Sequence, residues 1–138
     1  MAEHRLSGLT APSLSDFEEL ASAAFEALPE AFRSQCGDVV IRVQDFPDDD
    51  VLNDMDAEPF DLLGLFQGIG LAQDQAVAET GRMPNMVFLY RRAILDYWAE
   101  YDEPLGGIVT HVLIHEIGHH FGLSDDDMER IETEAEDA

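Results

Sequence analysis

The sequence predicts an α+β domain. Three observations predict it: a helical apolar period near the N-terminus, three short strand-like segments in the middle, and an apolar segment from Gly106 to Phe121 that is too long for a typical strand. The first element is a helix expected over 15–28. Ser15 is its expected N-cap, with Glu18 placed as in a capping box. Phe17, Leu20, Ala21, Ala24, Phe25 and Leu28 then recur at helical spacing, and Pro29 stops the run, with a short continuation through Phe32.

Gly37 and Asp38 make a turn, and the β-branched run Val39 to Val43 reads as a strand. Residues 45–61 carry eight acids and no base, with Pro47 and Pro59, and read as a solvated loop. Asp54, Asp56 and Glu58 imitate the opening of a calcium loop. The sixth position is Pro59 and the twelfth is Leu65, which excludes an EF-hand. The segment Leu62 to Gly70 is apolar but carries three glycines, so an edge or bulged strand is expected. Met86 to Tyr90 is a further strand, and Ile94 to Tyr101 turns helical before Pro104. The acidic end from Ser124 to Ala138 is expected to hold one helical turn around Met128 to Ile131 and then fray. The expected organisation is a loose arm over 1–14, a domain over 15–131 and an acidic tail over 132–138.

The chain has 138 residues, of which 46% are hydrophobic. That suits one globular domain able to bury a core without disulfides. The net charge of −23, from 30 acids against 7 bases, argues against nucleic-acid binding and anionic membranes. It favours cations and basic peptides, and the acidic loop 45–61 and the tail offer a basic protein partner a docking surface. The lone Cys36 cannot form an internal disulfide and reads as a small buried apolar residue. The N-terminus has no signal-peptide core and no stretch is apolar enough to span a bilayer. A soluble, cytoplasmic monomer is expected.

The chemistry concentrates in His115-Glu116-Ile117-Gly118-His119-His120-Phe121-Gly122-Leu123-Ser124-Asp125. This is HExxH followed by Gly and then Asp at intervals of three. By ordinary residue usage, HExxH alone arises by chance in roughly one chain of this length in a few hundred. At 3.6 residues per turn, His115 and His119 share a helix face about 6 Å apart along the axis, so both imidazoles can meet one zinc ion. Glu116 points roughly 100° around the helix, where it can reach a metal-activated water as general base. A straight helix cannot wrap its own ion. Gly122 can end it in a left-handed conformation and let the chain return with Asp125 as third ligand, leaving a position open for water. Asp126 and Asp127 are rivals that only spacing sets aside. His111 lies one turn before His115, about 12 Å along the axis from His119, too far to share one ion with it. His120 points elsewhere and reads as a packing residue, and His4 lies in the arm.

HEIGHHFGLSD resembles the zincin metallopeptidases in their HExxHxxGxx-(His/Asp) form. Together with Leu62-Leu63-Gly64-Leu65-Phe66-Gln67-Gly68 and Val87-Phe88-Leu89-Tyr90-Arg91-Arg92, it resembles the small bacterial mini-zincins over roughly residues 15–131. The resemblance implies a small mixed sheet packed on the N-terminal helix and the zinc helix. It also implies that Gly64, Leu65, Phe66, Gln67 and Gly68 lie on a strand above the cleft, where an extended substrate would add by main-chain pairing. That family commonly carries Tyr where Phe66 stands, and Phe66 has no hydroxyl to offer an oxyanion. Met128 follows the motif sooner than the methionine turn of larger relatives.

The leading expectation is a zinc-dependent peptidase acting on short peptides or unfolded proteins. The alternatives are a non-catalytic metal-binding or acidic interaction module, and a zinc-dependent hydrolase of a non-peptide amide.

Overall fold

Ser13, rather than Ser15, opens the first helix. The computed structural model describes residues 4–68 and 85–137. In α1 (Leu14–Glu26) the Ser13 hydroxyl accepts from the Asp16 N–H at 3.0 Å, and the Asp16 carboxylate accepts from the Ser13 N–H at 2.9 Å. Both serines have an acid three residues on. Capping at the earlier one also lets the Ser13 carbonyl accept from the Phe17 N–H, while Phe17 and Ala21 stay buried.

Pro29 starts α2 (Glu30–Cys36), which runs four residues past the expected stop at Phe32. Its carbonyl accepts from the N–H groups of Phe32 and Arg33, and Phe32 and Cys36 bury one turn apart. The Cys36 thiol donates to the Phe32 carbonyl, and burial pushes its pKa up to about 11. It has little nucleophilic thiolate at neutral pH.

Three strands are described, β1 (Val39–Gln44), β2 (Gly64–Gln67) and β3 (Asn85–Tyr90). The mixed sheet has the order β1-β3-β2, with β1 parallel and β2 antiparallel to β3. The strand expected over 62–70 is therefore shorter. It sits at an edge of the described sheet, and residues 69 and 70 lie outside the described residues.

The loop expected over 45–61 contains a short helix, α3 (Asp49–Met55). The acids that suggested only solvation place Asp49 and Asp50 in its first turn, where the helix dipole favours them. Asp56 ends it with φ +50. No α3 residue is buried, so the segment is solvated but ordered locally.

α4 (Arg91–Glu100) follows β3 directly. The Arg91 guanidinium donates to the Pro12 carbonyl at 2.6 Å and to Asp45 at 2.9 Å, so the end of the expected arm is tied to the domain.

α5 (Leu105–His120) starts after Pro104 and buries Ile108, Val109, Val112, Leu113, Ile114 and Ile117. Those positions surround most of the helix, as a core helix requires. α1, α4, β2 and β3 all pack on it. Val109, Leu113, Ile114 and Ile117 join Phe17, Phe32, Val87, Leu89 and Ile94 in one core, each contributing about 1.5–3 kcal/mol by burial.

The acidic end forms α6 (Asp125–Asp137) where one turn was expected, so the segment assigned to the tail is helical through Asp137. Ser124 caps it, accepting from the Asp127 N–H at 3.1 Å. Met128, Ile131 and Ala135 form a helical stripe against the core. Met128 is fully buried, and a Cβ on Gly118 would lie 2.5 Å from its sulfur. The missing side chain at Gly118 is the notch that lets α6 dock on α5. Among the described residues, no helix is long and apolar enough to cross a membrane.

Candidate metal and catalytic centre

The C-terminal half of α5 carries His115, Glu116 and His119. The His115 and His119 rings have centroids 5.8 Å apart, at 83° to one another. Phe121 caps the helix, and Gly122 takes φ +74. The Gly122 N–H donates to the His119 carbonyl at 3.1 Å and the Leu123 N–H to the Gly118 carbonyl at 2.9 Å. These two bonds define a Schellman turn, the reversal expected of Gly122. Gly122→Ala would force a Cβ into this left-handed conformation. We expect a stability loss of about 1 kcal/mol or more, read from denaturant unfolding.

The reversal brings Asp125 to the first turn of α6. Of the three neighbouring acids, Asp127 is engaged twice, by its capping box with Ser124 and by Arg130 at 2.9 Å. Asp125 instead lines a cavity of about 510 Å³ between α5 and α6, shared with His111, His115, Glu129, Glu132 and Glu103. His119 is not among the residues lining that cavity.

Glu116 turns the other way, toward β2. The Phe66 N–H lies on the side of the strand that faces its carboxylate, close enough to favour the charged form. The Leu63 carbonyl accepts from the Tyr90 N–H, so Leu63, Leu65 and Gln67 direct their main-chain groups to β3. Gly64 and Phe66 therefore direct theirs to the outer edge. At Gly64 a Cβ would lie 2.7 Å from Val112 Cγ1, 2.9 Å from the Phe88 carbonyl and 3.5 Å from Glu116 Cγ. Glycine lets β2 approach the motif helix this closely. The Phe66 ring stacks on His120 at 4.0 Å, which pins β2 to the end of α5 and gives His120 its packing role.

Burial raises the Glu116 pKa above the ordinary carboxylate value, against the opposing pull of His119 and the nearby Phe66 N–H. Burial, then His111 and His119, lower His115, while Glu132 and Asp125 oppose them. A neutral imidazole is the form that binds metal. Tyr90, at the end of β3, is pushed up to about 12 by burial and by the charges of Asp48 and Glu116.

Among the described residues, the one set of three donors whose ligand atoms all lie within 4.8 Å of one another is His111, His115 and Glu132. His111 Nδ1 lies 2.8 Å from Glu132 Oε1, and His115 Nε2 lies 3.8 Å from the same oxygen. The His111 ring stacks on His115 at 4.0 Å. Sequence reasoning set His111 aside by its distance from His119 and placed Glu132 in a tail. The signal was the doubled i, i+4 spacing of His111, His115 and His119.

The ligand atoms of His115, His119 and Asp125 do not all come within 4.8 Å of one another in this structure, Asp125 and His119 both being exposed. All three are residue types that zinc accepts. The donor chemistry therefore fits the metal that the motif implies. The model of a family described as zincin-like metallopeptidase matches residues 36–135, which include the sheet, α5 and most of α6. No curated protein matches this chain.

Proposed function

We propose that this chain, which belongs to the zincin-like metallopeptidase family, hydrolyses peptide bonds at a zinc ion held by His115, His119 and Asp125. The observation that carries this reading is the placement of Glu116. It lies between the two histidines in sequence, is half-buried, and faces the edge strand, where a Cβ on Gly64 would stand 3.5 Å from its Cγ.

When bound, zinc supplies Lewis acidity, acidifying water and polarising the scissile carbonyl. Glu116 takes the proton of the attacking water on its carboxylate and passes it to the leaving amine nitrogen. Its raised proton affinity suits a group that must both accept and return a proton near neutral pH. The outward main-chain groups of β2 pair with the backbone of an extended substrate, and Gly64 through Gly68 line that path. Main-chain pairing reads no side chain, so the substrates are short peptides or unfolded segments of broad sequence.

The test is metal content and turnover together. Purified chain is expected to hold about one zinc, with three protein donors and an open position. His115→Ala is expected to lose the metal and the cleavage of a peptide library. Stoichiometric zinc retained by His115→Ala would overturn the ligand assignment.

A further inference from the structure

We propose that His111, His115 and Glu132 form a second seat for a divalent transition-metal ion, one helical turn toward the start of α5 from the peptidase seat, with His115 shared between the two. The proposal rests on the reading of His115 and His119 as ligands of the peptidase metal. It adds an alternative position to that site.

The structure pairs His111 with Glu132 through a hydrogen bond of 2.8 Å, and an ion would replace that contact while drawing in His115. Nδ1 of His111, Nε2 of His115 and Oε1 of Glu132 converge, with separations from Glu132 Oε1 of 2.8 and 3.8 Å. Donors around a tetrahedral zinc stand about 3.4 Å apart, given bonds near 2.1 Å. The observed spacing brackets that value. Two imidazoles and one carboxylate suit zinc or cobalt better than calcium or magnesium, which take oxygen donors. The seat opens into the cavity between α5 and α6, where Asp125, Glu129 and Glu103 add negative charge and draw cations in. The His111 side chain is 53% exposed, so an ion can reach it without unfolding.

Sharing has a consequence. His115 offers Nε2 to one ion at a time. An ion seated with His111 and Glu132 therefore takes a ligand from the peptidase seat, and the two positions exclude one another.

The experiment uses the full chain, stripped of metal by chelator and titrated with Co²⁺. Heat release and visible absorption both report binding, so activity is not needed. His119→Ala removes only the peptidase seat and is expected to bind Co²⁺ more weakly than the parent but still measurably. Adding His111→Ala or Glu132→Gln to it is expected to weaken that binding by a further factor of about ten or more. If the double variants bind as His119→Ala does, the residual ion sits elsewhere and the second seat is refuted. The drop from parent to His119→Ala would then still uphold the peptidase seat. The opposite failure is distinguishable. If His119→Ala binds like the parent while Glu132→Gln abolishes binding, the second seat stands and the peptidase ligand set falls. Circular dichroism on each variant confirms the fold before titration.

Discussion

Glu116→Gln is expected to lower peptide turnover by about 10²–10⁴-fold, the usual weight of a positioned general base. Zinc content should stay unchanged, because Glu116 is not a ligand in the proposed set. The amide is close in size to the carboxylate, so the packing of this side chain beside Gly64 and β2 is expected to survive. Stability supplies an independent check. A carboxyl whose pKa is raised on folding holds its proton more tightly when folded than when unfolded. Its contribution to stability therefore declines as pH rises past the unfolded value. Gln has no such loss. The metal-free variant should be at least as stable as the metal-free parent at pH 7, and the gap should close as pH falls below the ordinary carboxylate range. Undiminished turnover with zinc in place would remove Glu116 from the mechanism.

Gly64→Ala is expected to damage both stability and catalysis. The added methyl would meet Val112 Cγ1 at 2.7 Å and the Phe88 carbonyl at 2.9 Å. Val112 is β-branched and buried, and the Phe88 oxygen belongs to the sheet, so neither yields easily. Overpacking of this kind costs about 1–3 kcal/mol, measurable by urea unfolding. The catalytic effect follows from the same displacement. β2 must move off α5, and the Phe66 N–H moves with it, away from Glu116. Misplacement on the scale of 1 Å costs on the order of a hundredfold in rate. Assays well below the variant's melting temperature separate the two effects. Normal kcat/KM in a destabilised Gly64→Ala protein would show that the closeness of β2 to Glu116 does not matter for turnover.

The motif helix could be read in the sequence because its information is local. HExxH fixes the period, and Gly122 marks a turn that only a left-handed residue completes. The three strands were readable for the same reason, as short apolar runs, β-branched in β1 and punctuated by glycines around β2. α6 was not. Met128, Ile131 and Ala135 are sparse among acids, and short isolated helices gain little from such a stripe. The helix is held by docking at Gly118, a tertiary fact absent from its own composition. Glu132 was missed with it, and so was its meeting with His111. The N-cap of α1 was missed by two residues because Ser13 and Ser15 carry equivalent capping signals.

Portability is limited by the interlock at Gly118. A designer who grafts only the five residues from His115 to His119 onto a foreign helix would carry over two nitrogen donors and a base, but no return path for an oxygen donor. A transferable part needs at least the hairpin of two helices from Leu105 to Asp137, its glycine recess and the methionine that fills it travelling as a matched pair, and a host surface to cover the remaining apolar sides of α5.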